Sequence, residues 1–321
     1  MGKVLTILAH GDADGVCSAA LVKAALGSKY DEVRVVFTHP VDLVKDFREF
    51  AAGDVYIVDV VIDEKYFSEA REALPSHRGR VVYIDHHPLP GEIPGIEIFH
   101  EEGASASELT YRMLAGLLPR RMSRVALYGA ISDYMDYTEW VRSALLQWDK
   151  RIVYFESGVL MQGLERARKD HEFKREVVDH LTRGGAPSAM NRLLRLAEEQ
   201  AKINEALTEW VEKNAVVKGA VAYVVNPPGP LGLAANLARG IREAPVGLAA
   251  EERGDIYVLS LRSIGVDLNA FLREFARKYD VSGGGHKNAA GGRVPKSLFE
   301  KLIDELNWYI SRQRQGLVSS Q

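Results

Sequence analysis

Over its first 90 residues the chain alternates short β-branched runs with helical periods, and this alternation limits the fold more than any other feature. VLTIL at 4–8, VRVVF at 33–37, VYIVDVV at 55–61 and VVYID at 81–85 read as strands. GVCSAALVKAAL, VDLVKDFREFA and EKYFSEAREAL between them read as helices. Strand–helix–strand repeated in this way implies parallel strands joined by right-handed crossovers, with helices on both faces of a doubly wound sheet. In such α/β sheets ligands gather at the carboxyl ends of the strands. Polar residues at those ends therefore carry most of the functional information.

PLPGEIPGIEIF at 88–99 reads as a loop, and ASASELTYRMLAGLL and RRMSRVALYGAISDYM after it read as helices. From Glu139 to Val217 the pattern stays helical, broken at Gly158 and at RGGAPS. A second sheet-forming region begins near Gly219 with AVAYVVN and runs through VGLAAEERG and DIYVLSLR to VSGGGHKNAAGGRV, with helices at ANLARGIREA and VDLNAFLREFARKY. The expected organisation is an N-terminal α/β domain over 1–147, a helical connector over 148–217 and a smaller C-terminal α/β domain over 218–315.

The 321 residues carry 46% apolar and 26% charged side chains, which excludes disordered, collagenous and disulfide-rich classes. A net charge of −3 does not mark the whole molecule as a nucleic-acid binder, although a local basic face remains compatible with it. Between Arg166 and Arg195 there are eight Lys or Arg against four Asp or Glu, an excess that suits either a solvated helix face or a strand backbone. One cysteine, Cys17, in an apolar helix, reads as core. The single thiol and the absence of a signal-peptide layout lead us to expect a cytoplasmic protein. No run reaches the roughly 20 apolar residues of a membrane span.

The polar strand ends form clusters. HGDADG at 10–15 offers His10, Asp12 and Asp14 at period-two spacing, which puts them on one side of an extended segment. The same residues suit an ordinary turn in which Asp14 caps the helix from Gly15. Asp59 interrupts the apolar VYIVDVV, where a charge is costly unless paired or bound to a metal. Asp63 is better explained as a helix cap and is left out of the site. YIDHH ends on Asp85, His86 and His87, and Asp133 closes ISD in an apolar helical run, with Asp136 as its competitor. His10, Asp12, Asp14, Asp59, His86 and Asp133 together could hold two divalent ions. Mixed histidine and carboxylate ligation favours manganese, with magnesium as the alternative.

HGDADG, the Asp of VYIVD, the DHH triplet at 85–87 and ISD at 131–133 resemble, in order, the four motifs of DHH-superfamily phosphoesterases. GGGHKNAAGG at 283–292 resembles the signature of the DHHA1 domain found in the RecJ-type and oligoribonuclease-type branch. The resemblance implies one metal on His10, Asp12 and Asp59 and a second on Asp14, Asp59, His86 and Asp133, with Asp59 bridging. It implies that Asp85 orients a histidine, and that His87 contacts phosphate and protonates the leaving oxygen. Arg262, Ser263, Gly283, Gly284, Gly285 and His286 would hold substrate phosphate, the glycines by letting backbone N–H groups approach an anion.

The expected activity is manganese-dependent hydrolysis of single-stranded DNA or RNA, as an exonuclease or an oligonucleotide hydrolase. The alternatives are hydrolysis of a 3′,5′-bisphosphonucleoside or linear dinucleotides, and a non-catalytic replication scaffold. The intact set of ligand-type residues argues against the scaffold. A helicase or replication and repair protein is the expected class of protein partner, and no membrane is expected.

Overall fold

In the computed structural model, which describes residues 2–285 and 287–318, the chain divides into two compact units that meet at Gln200 and Ala201. In the first unit, strands β1 (Val4–Ala9), β2 (Glu32–Phe37), β3 (Asp54–Val58), β4 (Val81–Asp85) and β5 (Glu97–His100) form a parallel sheet in the order 2-1-3-4-5. Helices α1 (Ala13–Leu26), α2 (Leu43–Phe50), α3 (Phe67–Ala73), α4 (Ala106–Leu114), α5 (Ser123–Ser132), α6 (Glu139–Leu145), α7 (Lys150–Ala167) and α8 (His171–Thr182) surround it.

Period-two alternation divides the strand side chains between two cores. Leu5, Ile7, Ala9, Tyr56, Val58, Val82 and Ile84 join one core with α1, α4 and α5. Leu8, Val55, Ile57, Val81 and Tyr83 join the other with α2 and α3. Burial on both faces explains why the strands read as continuous apolar runs. Helix α1 packs against α4, α5 and α8 as well as the sheet, so it is apolar all round, and Cys17 lies buried within it.

Two sequence readings change. The end of the segment read as the loop PLPGEIPGIEIF is strand β5, registered from Val82↔Glu97 to Asp85↔His100; closely spaced Gly and Pro concealed a four-residue edge strand. The helical stretch 148–217 does not stand apart either. Val153, Leu160, Leu164, Phe173 and Val177 of α7 and α8 belong to the same core as α1. Helix α9 (Asn191–Asn214) contributes Leu193 to that core and Leu207 and Val211 to one of the second unit.

The second unit contains β6 (Val216–Lys218), β7 (Val221–Val225), α10 (Leu231–Ile241), β8 (Val246–Arg253), β9 (Ile256–Ser263), α11 (Leu268–Tyr279), β10 (Ser282–Gly285), β11 (Ala289–Pro295) and α12 (Phe299–Val318). Its mixed sheet has the order 10-11-9-8-7-6, with β7 and β8 parallel and the other neighbouring pairs antiparallel. α11 and α12 cover one face and α10 the other. Among the described residues, no helix is long and apolar enough to cross a membrane.

Candidate active site and metal centre

The order 2-1-3-4-5 makes the chain reverse its direction of progress between β1 and β3, and the crevice at such a switch point is where open α/β sheets bind ligands. His10 follows β1 directly and Asp12 caps α1, its Oδ1 accepting from Gly15 N at 3.0 Å. Asp14, the residue that the competing turn reading would make the cap, lies two positions further on and does different work. Its two oxygens accept from Ala106 N at 2.7 Å and Ser107 N at 3.0 Å, at the amino end of α4, where the helix dipole favours a negative charge. A Cβ on Gly129 would come within 2.6 Å of Asp14 Oδ1 and 2.4 Å of Ser107 Oγ, so α5 needs glycine there to pass this carboxylate.

Asp59 follows β3 with φ at +58°, a left-handed conformation that Asp tolerates better than most residues. Its N–H still pairs with Ile84 O at 3.0 Å, so the turn begins without interrupting the ladder. The side chain is 3% exposed, and Oδ2 is buried without a hydrogen-bond donor. His10 Nδ1 lies 2.7 Å from Asp12 Oδ2 and 3.9 Å from Asp59 Oδ2. His86 Nε2 lies 3.5 Å from Asp59 Oδ1 and 3.4 Å from Asp133 Oδ2. Asp133 caps the carboxyl end of α5, the end at which a helix disfavours an anion. A bound cation would reverse that penalty.

Donor atoms of His10, Asp12 and Asp59 converge within 4.8 Å of one another, and so do those of Asp14, His86 and Asp133. Asp136 accepts from Tyr154 Oη at 2.7 Å, and Asp63 caps a short helical turn by accepting from Lys65 N. Burial pushes Asp14 up to about 6. Burial, then the charges of Asp12, Asp14, Asp85 and Asp133, raises Asp59 well above the usual carboxylate range. Crowded carboxylates with an unsatisfied buried oxygen and two imidazoles are the donor set a divalent cation requires.

Asp85, the last residue of β4, is 0% exposed. Its Oδ1 accepts from His87 Nδ1 at 2.8 Å and its Oδ2 from Tyr83 Oη at 2.5 Å. Burial would raise this carboxyl, but the neighbouring His87 holds it below its ordinary value. Asp85 in turn raises His87 against the opposing effect of burial. His100 Nε2 donates to the carbonyl of His87 at 2.7 Å. Tyr83 and His100 escaped the sequence reading. Tyr83 was accessible to it, since residues i and i+2 share a strand face and a tyrosine two before a buried Asp is a natural donor.

In the second unit, Arg262 on β9 donates from Nη1 to Ser260 Oγ at 3.0 Å and Leu261 O at 2.9 Å. Ser263 is buried and its hydroxyl donates to Val266 O at 2.7 Å, so that proton is committed to the fold. Gly283, Gly284 and Gly285 form β10 of a hairpin, opposite Gly292, Gly291 and Ala290. These glycines were expected in an anion-binding turn, and close backbone approach accounts for part of their use instead. A Cβ on Gly285 would meet Ala289 O at 2.7 Å, and Gly285 N already donates to Asn269 Oδ1. Ala289 pairs with Arg262 across the sheet, which brings hairpin and arginine together. His286 lies outside the described residues.

A DHH family N-terminal domain model matches residues 4–140, and a DHHA1 domain model matches 217–312. No curated protein sequence matches the chain. Among solved structures it is similar to manganese-bound RecJ from Thermus thermophilus, with a TM-score of 0.72, 19% identity, 97% of this chain covered and 52% of that one. The chain thus spans about half the length of that relative. A second manganese-bound exonuclease RecJ gives a TM-score of 0.67 at 19% identity, covering 97% and 91%. The pGpG-specific phosphodiesterase PggH from Vibrio cholerae gives 0.61 at 14% identity, covering 97% and 99%. Two domain matches in the expected order, over a metal-ligand cluster at the switch point of a parallel sheet, place this chain among the DHH-superfamily phosphoesterases with a DHHA1 domain.

Proposed function

We propose that the protein is a manganese-dependent phosphodiesterase that hydrolyses single-stranded nucleic acid, in the manner of an exonuclease or oligonucleotide hydrolase. The convergence of His10, Asp12, Asp14, Asp59, His86 and Asp133 beside an oriented His87 carries this reading. The first three and Asp133 would each serve one ion or the other, His86 the second, and Asp59 both. A divalent pair held there would supply Lewis-acid stabilisation of negative charge on the phosphoryl and leaving oxygens during in-line displacement. Asp85 fixes the His87 ring by accepting from Nδ1, which assigns proton delivery to Nε2. Tyr83 holds the other Asp85 oxygen, so the carboxylate cannot rotate away from the ring. Arg262, Gly283, Gly284, Gly285 and His286 are assigned to the substrate; Ser263, whose hydroxyl and N–H both bond within the fold, supports the Arg262 strand instead.

The similarity to an exonuclease RecJ bound to manganese supports the exonuclease reading. Near-complete mutual coverage with the pGpG-specific phosphodiesterase favours a second reading, hydrolysis of linear dinucleotides. The experiment is incubation of the protein and manganese with 5′-labelled and 3′-labelled RNA and DNA of several lengths, alongside pGpG and 3′,5′-bisphosphoadenosine. Stepwise mononucleotide release from strands is expected. Cleavage of pGpG alone would establish the second reading, and no hydrolysis of any of them with manganese or magnesium would overturn both.

A further inference from the structure

Within the first unit, a concavity of about 340 Å³ opens at the carboxyl ends of β1 and β2, with His10 and Asp12 lining one side of it, so that it adjoins the candidate metal centre. Its walls include Phe37, His39, Arg168, Lys169, His171 and Lys174. Three features set it apart from an ordinary surface groove.

Lys174 on α8 is only 6% exposed, and its Nζ donates to the carbonyl of Gly11. That uses one of three ammonium protons. Asp12 and Glu165 act on this charge electrostatically, and among the described residues no carboxylate forms an ion pair with it. A buried ammonium is costly without a compensating anion. His171 stacks on Phe37 with ring centroids 5.9 Å apart and planes at 26°, which makes a flat platform in the wall. Its Nδ1 is buried without a hydrogen-bond partner, a rare condition for a polar atom in a folded protein. Finally, Arg168 leaves α7 at φ +48°, a conformation L-residues seldom adopt and one that accumulates at binding sites.

One ligand class meets all three demands. A phosphate supplies acceptors for Lys174, Arg168 and Lys169, and a nucleobase supplies a flat face for the Phe37–His171 platform and a polar edge for Nδ1. The volume falls in the range of small-ligand pockets, roughly 300–1,000 Å³. We infer that this cavity is a nucleotide subsite that takes one nucleoside monophosphate unit beside the phosphodiester being cut. Its place beside the scissile bond rests on the phosphodiesterase reading, whereas nucleotide binding itself does not.

The test uses the full chain in EDTA, titrated calorimetrically with adenosine 5′-monophosphate, adenosine and inorganic phosphate. The monophosphate should bind more tightly than either part. Arg168→Ala combined with Lys169→Ala, both exposed positions, should weaken it at least about tenfold, equivalent to one good charge-assisted contact. His171→Leu should weaken adenosine and the monophosphate while sparing phosphate. With manganese, the Arg168/Lys169 variant should raise KM for pGpG with kcat within a few-fold, the pattern of lost uniform binding. Monophosphate binding no tighter than phosphate, or equal binding by wild type and variants, would overturn the subsite. Intact binding in a wild type that hydrolyses nothing would instead overturn the phosphodiesterase reading.

Discussion

Removing the metal should make the protein lose stability as pH rises, opposite to the usual behaviour of proteins whose carboxylates are paired. Asp14 is 2% exposed, and burial raises its carboxyl from 3.8 to about 6. A carboxyl raised on folding binds more protons in the folded state between those two values. Stability is therefore fully present below the unfolded value, falls through the window and is lost above about 6. At about 1.4 kcal/mol for each factor of ten, the loss attributable to Asp14 is about 3 kcal/mol. For a cooperative unit of this size that corresponds to about 6–12 °C in Tm. Asp59 is shifted in the same direction and adds to the effect. The assay is thermal unfolding in EDTA at pH 5 and pH 8, repeated with manganese. A ligand at 100 times its Kd restores about 2.7 kcal/mol, so manganese should close most of the gap at pH 8. It should do less at pH 5, where protons compete for the same oxygens. Asp14→Asn should flatten the metal-free dependence. A metal-free Tm equal at both pH values, or higher at pH 8, would refute the argument that these carboxylates are destabilising until a cation arrives.

Asp59→Ala should lose both hydrolysis and bound metal, and a variant retaining wild-type manganese by elemental analysis would remove Asp59 from the centre. His87→Ala should keep its metal and lose rate by about 10²–10⁴, the range of a general acid; a fall in metal content would show that His86 and His87 have exchanged roles. Gly129→Ala should destabilise the fold by about 1–3 kcal/mol through overpacking against Ser107 and Asp14, read as a lower denaturation midpoint. Arg262→Ala should raise KM for a dinucleotide with kcat within a few-fold, and a collapse of kcat at unchanged KM would place Arg262 in the reaction itself.

The doubly wound first sheet was legible because strands buried on both faces leave unbroken apolar runs, and a charge such as Asp59 then stands out. The same logic located His10, Asp12, Asp85 and His86 at strand ends. It failed where the signal was short or depended on distant contacts. β5 is four residues long amid Gly and Pro. The cap of α1 went to Asp12 rather than Asp14, because both are good cap residues and the choice depends on the amino end of α4 nearly a hundred residues away. Lys174 gave no sign at all. It sits in a polar-looking helical stretch, and its burial exists only because α8 packs onto α1.

The bond from Lys174 to Gly11 joins residues 163 positions apart, and this has a bearing on biosynthesis. A nascent chain that has just released α5 from the ribosome already carries all six ligand-type residues. It still lacks the clamp on the loop between His10 and Asp12, and the helices that complete the core around α1. Assembly of the candidate metal centre thus waits for the nearly finished first unit. Ribosome-bound or prematurely terminated products ending before α8 should bind metal more weakly than the finished unit.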